Sequence, residues 1–297
     1  MPSSSSFGSQ PAFVPATRFH LVRLAALGLV MASACTSCAD LSAVAKFAAS
    51  AKGASTGFSD IADDFAGSAT RRSVYITDSA DEKAKAVQAA ADYKAEQPDM
   101  LAAQKVLVDY IAALAAISTD SSTSRDASVG ATQAGLVKIG MSATQATAGV
   151  GLATKAVDAL TAGYRSNKAG KVIHDANPLL QDYLKGLEEI AGVDYPLALG
   201  LEETAARHYY DGLLHDYGDK EPLAAVMIRL QMQQDLAGIE KKRQAAAAYN
   251  KILTDIGEGH QKLYDAGEHM SKKALGGIVE PYVEDIATQS AKVAKAF

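Results

Sequence analysis

Residues 222–267 read PLAAVMIRLQMQQDLAGIEKKRQAAAAYNKILTDIGEGHQKLYDAG, and this stretch decides the fold class. Apolar residues recur along it at helical intervals, and no strong helix breaker interrupts it before Gly267. Pro222 suits the first turn of a helix, where its missing N–H is not needed. The pattern predicts a single helix roughly 70 Å long. Its apolar positions are Leu223, Val226, Leu230, Ile239, Ile252, Ile256 and Leu263.

The rest of the chain divides into segments of similar length at clusters of polar, turn-forming residues. Such regular division is typical of a helical bundle. The signals of strands, which are alternating β-branched runs between Gly or Asn turns, do not occur. We therefore predict an all-α fold, an elongated antiparallel bundle of five or six long helices. The predicted helices cover about 40–75, 80–117, 126–164, 178–217, 222–267 and 271–297.

Prolines and glycines mark the expected ends and interruptions of these helices. Asn177 is expected to cap the fourth helix, and Pro178 to open it. Pro98 is expected to start a fresh turn within the second helix. Further kinks or breaks are expected at Gly192, Pro196 and Pro281.

The amino-acid composition indicates how the core is built. The chain of 297 residues has no Trp and only 7 Phe, so its core must consist of Ala, Leu, Ile, Val and Tyr. Alanine has the highest helix propensity, and its small side chain lets two helices approach closely. No Pro-rich or Gly-Ser linker long enough to separate two domains is present.

The first 38 residues have the layout of an export signal. Arg18 and Arg23 precede an uncharged, largely apolar run, residues 24–34, and no Asp or Glu occurs before Asp40. This run has 11 residues. A helix that crosses the hydrocarbon core of a membrane needs roughly 20 residues. We therefore predict that the segment is cleaved and does not remain as a membrane span.

The end of this run, Ala32-Ser33-Ala34-Cys35, resembles the lipobox of bacterial lipoproteins. In that family a cysteine after small residues is acylated and becomes the new N-terminus. The resemblance implies lipid attachment at Cys35, with residues 1–34 as signal peptide and residues 35–297 as a single helical domain. Thr36, in place of an Asp retention signal, implies the outer membrane, with the protein facing the periplasm or the cell surface.

Ordinary signal-peptidase cleavage is the alternative to lipid attachment. Ala32 and Ala34 form an Ala-x-Ala site, and cleavage there would leave Cys35 and Cys38 as a CxxC pair in an oxidising compartment. A cytosolic redox CxxC is disfavoured because no alternation of strands and helices surrounds it.

The charge of the predicted mature chain disfavours nucleic acid as a partner. Removal of residues 1–34 removes two Arg and no acid, which leaves 27 basic and 34 acidic side chains and a net charge near −7. The charges alternate along the chain, and no basic stripe of the kind that phosphate contacts require is present.

Sequence signatures of enzymes are absent. The chain has no Walker A pattern, no GxSxG elbow, no HExxH and no Rossmann fingerprint. The paired acids Glu188-Glu189 and Glu202-Glu203 lie at consecutive helical positions, so we expect them to face solvent. Catalytic carboxylates would need burial and a perturbed pKa. We predict a protein without enzymatic activity and without a cofactor.

The best candidates for metal ligands are His208, Asp211 and His215. Their i, i+3, i+7 spacing places them on one face of a helix, and imidazole and carboxylate groups can ligate zinc. However, i to i+7 spans about 10.5 Å of helix rise, so a second helix would have to contribute ligands. We expect ordinary surface histidines rather than a metal site. Possible additional ligands are Glu258, His260, Glu268 and His269.

Residues 127–157 contain only two charges, Lys138 and Lys155, and several glycines. One interpretation is a segment that inserts into membranes, where small residues allow close helix contact. The favoured interpretation is a central helix buried on most sides, with Gly140 and Gly149 at points where another helix approaches closely.

These observations predict an exported, lipid-anchored protein of the cell envelope that acts as a non-enzymatic binding, spacer or scaffold element. Its expected partners are a membrane, through the anchor at Cys35, and another envelope protein. One alternative is a membrane-active, pore-forming-like protein that uses residues 127–157. Another is an envelope immunity or inhibitor protein that neutralises a toxin.

Overall fold

The structure, a computed structural model, describes residues 41–55, 57–119, 131–161, 169–267 and 272–297. These residues belong to one compact unit, Asp40–Phe297. Every regular element among them is a helix, which confirms the all-α fold class. The elongated antiparallel bundle stays a prediction.

Nine α-helices and one π-helical segment lie within the described residues. They are α1 (Ser42–Ser55), α2 (Phe58–Tyr75), α3 (Ala80–Ser118), α4 (Gln133–Lys138), α5 (Ala143–Thr161), α6 (Ala169–Glu189), the π-segment (Ile190–Asp194), α7 (Tyr195–Tyr217), α8 (Pro222–Ala266) and α9 (Lys272–Val293).

The long helix predicted from residue 222 is α8, which has 45 residues. It ends where predicted, because Gly267 has a φ of 72°, in the left-handed region that favours glycine. Its apolar positions fall into two groups. Ile239, Ile252, Ile256 and Leu263 are buried, whereas Leu223, Val226 and Leu230 are exposed.

The predicted first helix is divided into α1 and α2 between Ser55 and Phe58. The division lies at Gly57, where a Cβ atom would be 3.0 Å from Val293 Cγ1 on α9. The missing side chain therefore lets α9 approach the junction. Both helices contribute to the same core through Phe47 and Phe58, which are fully buried.

The predicted second helix is confirmed as α3. The Oγ of Ser79 accepts a hydrogen bond from the Glu82 N–H (3.2 Å), which caps the start of the helix. The expectation that Pro98 starts a fresh turn is wrong, because Pro98 lies inside α3. A proline there removes one backbone hydrogen bond. Burial of the apolar stripe that follows offsets this loss; the stripe comprises Met100, Leu107, Tyr110, Ile111 and Leu114.

The predicted third helix is divided into α4 and α5. Between them Gly140 has a φ of 96°, a left-handed conformation that L side chains rarely adopt. Ser142 and Gln145 then form a reciprocal cap. The Ser142 N–H donates to Gln145 Oε1 (2.7 Å), and the Gln145 N–H donates to Ser142 Oγ (3.3 Å). Gly140 is therefore required by a turn, and not, as expected, by close contact with another helix.

Helix α5 is buried along one face and not on most sides, which corrects the expectation for this segment. The close approach expected at Gly149 is confirmed, because a Cβ atom there would lie 2.6 Å from Tyr183 Cε2 on α6. The opposite face of α5 is exposed to solvent. Its exposed side chains include Thr144, Thr147, Thr154 and Asp158.

The expected start of the fourth helix at Asn177 and Pro178 is wrong, since α6 already begins at Ala169. The side chain of Asn177 does not cap a helix; it hydrogen-bonds Gln261 and His260 on α8.

Near Gly192 the expected interruption takes the form of the π-segment. A Cβ atom at Gly192 would lie 2.9 Å from Asn250 Cγ, so this segment also lies close to α8.

Neighbouring helices run both antiparallel and parallel. Helices α7 and α8 pack antiparallel on either side of the turn at residues 218–221. Helices α2 and α7 run parallel, because Asp64 contacts Tyr195 and Arg71 contacts Glu202. The C-terminal half of α8 packs on α6 and α9, and one continuous apolar core includes residues from α1, α3, α5, α6 and α8.

We expect Gly149→Leu to lower the free energy of unfolding by about 1–3 kcal/mol, because the new side chain must displace Tyr183 and Leu136. Urea denaturation followed by circular dichroism measures the effect. Gly212→Ala is the matched control, since no atom lies within 4 Å of its added Cβ. That exposed helical change should stabilise the protein by about 0.5–1 kcal/mol. Equal stability of Gly149→Leu and the wild type would contradict the close packing of α5 on α6.

Candidate functional site

The predicted lipid-attachment site lies outside the described residues. Cys35, Cys38 and the apolar run before them precede residue 41, where the description begins. Lipid attachment at Cys35 and cleavage after residue 34 therefore stay predictions.

The candidate metal ligands His208, Asp211 and His215 are exposed on α7. His208 Nε2 lies 2.9 Å from Asp78 Oδ2, so its nearest acidic neighbour is a single carboxylate at the surface. His260 is on α8 and fully buried. Within the described ranges, no group of three or more His, Cys, Asp or Glu could hold a metal ion. Glu268 and His269 lie outside these ranges.

The expectation that Glu202 and Glu203 face solvent is wrong for both. The side chain of Glu202 is only 2% exposed, and it accepts hydrogen bonds from Arg71 Nε (2.6 Å) and Nη2 (2.9 Å) on α2. Glu203 is partly buried and pairs with Arg207 on its own helix and with Arg243 on α8. Consecutive helical residues point about 100° apart, so the two acids reach different neighbouring helices.

Around Glu202, five side chains form a charge cluster that joins α2, α7 and α8. Arg71 also donates to both oxygens of Asp64 (2.8 and 2.9 Å). Asp64 accepts further hydrogen bonds from Tyr195 Oη (2.7 Å) and Lys242 Nζ (2.9 Å). The cluster holds two cations and two carboxylates, so its charges balance.

The charge cluster changes the acidity of its members. Burial alone would raise the pKa of Asp64, but the hydrogen bonds from Arg71, Tyr195 and Lys242 hold it below its ordinary value. Burial and the neighbouring carboxylate of Asp64 raise the pKa of Tyr195. Asp64 is therefore ionised and Tyr195 protonated at neutral pH. In these protonation states the two side chains form the hydrogen bonds and ion pairs that join α2, α7 and α8.

A second polar contact between the same helices is formed by two tyrosines and one acid. Tyr75 Oη on α2 (2.9 Å) and Tyr210 Oη on α7 (2.5 Å) both donate to Asp235 Oδ2 on α8. Gln231 Nε2 donates to the other oxygen of Asp235 (2.9 Å). Burial, and then the Asp235 carboxylate, raise the pKa of both tyrosines. Tyr210 is buried, and its hydroxyl group lies on this acid.

A third polar contact, which sequence reasoning missed, is buried and joins α3, α6 and α8. His260 Nε2 lies 2.6 Å from Tyr110 Oη, and His260 Nδ1 lies 2.9 Å from Asn177 Oδ1. These partners fit a neutral imidazole, which donates from Nδ1 and accepts at Nε2. Burial lowers the pKa of His260 to about 3. The histidine is therefore uncharged throughout the physiological range.

The first third of α8 carries an exposed apolar stripe, formed by four residues at i, i+3, i+4 and i+7. Each of the four residues is at least half exposed, so the stripe faces solvent: the exposed fractions are Leu223 77%, Val226 50%, Met227 61% and Leu230 51%. Large contiguous apolar patches on a folded protein mark interaction sites, whereas single exposed apolar residues are ordinary.

The opposite side of this part of α8 is also apolar. Ala225 is about 200° around the helix from Leu223, and it is buried. Farther along the exposed side, Gln234 and Lys241 replace the apolar residues. The stripe therefore ends at Leu230. Sequence reasoning identified three members of the stripe as part of a helical pattern. It did not use the fact that both sides of this part of the helix are apolar, which indicates that one of the two sides is not buried by the rest of the chain.

A second row of exposed apolar residues lies at the other end of the hairpin formed by α7 and α8. It consists of Val193, Leu197 and Leu201, at intervals of four residues. This row is sparser than the stripe, because it has one apolar residue per turn.

The comparisons with known proteins identify no relative. No protein-family model matches the chain. No curated protein and no solved structure matches it either.

We expect the stability of the protein to depend on pH through His260. Its pKa is about 3 in the folded chain and 6.5 ordinarily. The stabilisation by neutral His260 is therefore complete above pH 6.5 and is lost as the pH falls from 6.5 towards 3, at up to about 1.4 kcal/mol per pH unit. His260→Asn should flatten this slope in denaturation at pH 7 and pH 5, whereas His215→Gln, on the exposed surface, should keep it. An unchanged slope in His260→Asn would contradict the assignment.

We expect Arg71→Met to destabilise the fold by about 2 kcal/mol, because it leaves Asp64 and Glu202 without their shared cation. Removal of one partner from a fully buried pair costs about 3–5 kcal/mol. Arg71 is 34% exposed, so solvent reduces the effect. Arg207→Met removes an exposed cation from Glu203, which still pairs with Arg243, so it should change stability by less than about 1 kcal/mol. Similar losses in the two variants would show that the charge cluster has no special role.

Proposed function

We propose that this chain is an exported, lipid-anchored protein of the cell envelope that binds another protein and has no catalytic role. The exposed apolar stripe of α8 carries this proposal. A helix that is apolar on two opposite sides leaves one of them in water unless something covers it. The export and anchor parts of the proposal rest on the sequence Ala32-Ser33-Ala34-Cys35.

The polar interior supports a binding role and not a catalytic one. The charge cluster pairs each carboxylate with a cation, and the His260 contact satisfies both ring nitrogens. Polar groups that are paired in this way fix the register of the helices that they join. The net charge near −7 of residues 35–297 further favours a protein surface over a nucleic acid.

A membrane-active role is the second candidate, and one observation favours it. Helix α3 is long and apolar enough to cross a membrane, by length and composition. However, more than half of its most apolar window is buried, and Leu107, Ile111 and Leu114 are part of the core. Residues 127–157, the segment proposed from sequence, are interrupted by the turn at Gly140.

A toxin-neutralising role would use the exposed apolar stripe of α8 as its binding surface.

We expect the wild-type chain, expressed in a Gram-negative host, to incorporate labelled fatty acid and to fractionate with membranes, because Cys35 is the predicted acylation site. Cys35→Ser should do neither. Cys38→Ser is the control and should behave as the wild type. Equal labelling of wild type and Cys35→Ser would contradict the anchor.

The same preparations separate the binding role from the membrane-active one. The full-length chain with Cys35→Ser should release no dye from phospholipid vesicles, since the apolar face of α3 is covered by the core. Dye release at low protein-to-lipid ratio would contradict the binding proposal and favour the membrane-active alternative.

A further inference from the structure

We propose that a proton on Asp255 holds α9 against α8, and that loss of this proton as the pH rises loosens α9. The inference goes beyond the proposed binding function and does not depend on it. Its basis is the burial of Asp255, the second carboxyl group beside it, and the weakness of α9 as a helix.

Asp255 is a buried acid with an incomplete set of hydrogen bonds. It lies on the C-terminal half of α8 and is 1% exposed. Its Oδ1 atom accepts a hydrogen bond from Lys251 Nζ on the same helix. Its Oδ2 atom is buried and has no hydrogen-bond partner among the described residues. A buried carboxylate that lacks hydrogen bonds is costly, and protonation removes this cost by removing the charge.

A second acid, Asp285 on α9, faces Asp255 across the contact between the two helices. Lys251 Nζ lies 3.3 Å from Asp285 Oδ2, so one cation serves both carboxyl groups. The two carboxyl groups are also within hydrogen-bonding distance of each other. Two carboxylates cannot form that bond, because neither has a proton to donate. A protonated Asp255 can donate to Asp285, and the three side chains then hold one positive and one negative charge.

The surroundings of the two acids determine which one keeps the proton. Burial raises the pKa of Asp255 against the opposing effect of Lys251, and Asp285 raises it further. Hydrogen bonds from Gln289 and Lys251 hold the pKa of Asp285 below its ordinary value. The proton therefore resides on Asp255. Because the folded state binds it more tightly than the unfolded state, its stabilising effect is complete below pH 3.8 and is lost as the pH rises through the pKa of the folded state.

Other helices also present charged groups to α8 and α9, but among the described residues Lys251 is the only cation within ion-pair distance of Asp255. Helix α1, which packs on both, carries Lys46 and Lys52. Glu188 on α6 accepts a hydrogen bond from Thr254 instead. The remaining groups are Asp194 in the π-segment, the charge cluster at Lys242, and the exposed Glu280, Glu284 and Lys292 of α9.

Helix α9 is poorly stabilised by its own sequence. Gly276 and Gly277 lie near its start, and no atom lies within 4 Å of a Cβ atom added at either position, so packing does not require glycine there. Each glycine within a helix costs about 0.5–1 kcal/mol relative to alanine. Pro281 lies inside the helix and removes a backbone hydrogen bond. The helix therefore depends on its contacts with α8 and α1.

The buried contact at Asp285 acts on this weak helix. Loss of the proton places a second negative charge beside Asp285, with Lys251 as their shared cation. A segment of low local stability can open while the rest of a protein stays folded. The apolar side chains that opening would uncover on α9 are Leu275, Val279, Ile286 and Val293.

Hydrogen–deuterium exchange measured by mass spectrometry tests the proposal. The sample is the full-length chain with Cys35→Ser and Cys38→Ser, which removes the proposed anchor and any disulfide. The amide protection of α9 should be lower than that of α6, because α9 opens locally. In Asp255→Asn the carboxamide can still donate to Asp285 but cannot lose a proton. The ratio of α9 protection in Asp255→Asn to that in the parent chain should therefore rise with pH, by at most about tenfold per pH unit.

Three further variants serve as controls. Asp265→Asn, at an exposed position on α8, should keep the pH dependence of the parent chain. Asp285→Asn should weaken this dependence, because an ionised Asp255 then faces a neutral group that can donate to it. Gly276→Ala combined with Gly277→Ala should raise the protection of α9 several-fold at every pH, since it strengthens the helix without altering the acids.

A constant ratio between Asp255→Asn and the parent chain from pH 4 to pH 8 would overturn the proposal. Equal protection of α9 and α6 would overturn it as well, because α9 would then open only with the whole protein. A rise of the ratio in Asp265→Asn equal to that in Asp255→Asn would show that the effect belongs to the net charge of the chain and not to the buried acid.

Discussion

The close approach of other helices to α8 is the constraint on which the rest of the structure depends. Glycines 257 and 259 have no side chain where Leu184 of α6 and the ring of Phe47 of α1 lie against the helix. Alanines 245, 246 and 248 are buried on the same half of α8. Small residues let helix axes come close enough for the larger side chains of the neighbours to fill the space between them. A chain with no Trp and few Phe therefore still forms a continuous core.

Polar contacts then determine which helices lie beside α8 and in what register. The charge cluster fixes α2 and α7 on one part of it, and the contact of His260 with Tyr110 and Asn177 fixes α3 and α6 on another. Buried polar groups contribute little net stability compared with apolar side chains, but an incorrect register would leave them without partners. In this protein the apolar core supplies cohesion, and the paired polar groups select one arrangement of helices that are otherwise rich in interchangeable alanines.

The same helix that organises the core also carries the candidate binding surface. Its C-terminal half is surrounded by neighbours, whereas its first third packs on α7 and leaves the opposite side exposed. Continuity with a buried helix makes the stripe rigid, so binding there involves little loss of conformational freedom. This division of one helix into a buried part and an exposed part supports a role in protein contact, and it accounts for the apolar residues that the fold itself does not use.

The sequence by itself determined the helix content, the limits of α3 and α8, and the interruption near Gly192, because these depend on local periodicity, caps and breakers. It did not determine the continuation of α6 through Asn177 and Pro178, or the burial of Glu202. A strong local capping signal at Asn177 is overridden there by hydrogen bonds to residues more than 80 positions away. Only the tertiary structure determined which acidic side chains pair with a cation on another helix and which apolar side of α8 stays exposed to solvent. Periodicity fixes the positions that share a face, but only the packing of distant helices decides whether that face meets protein or water.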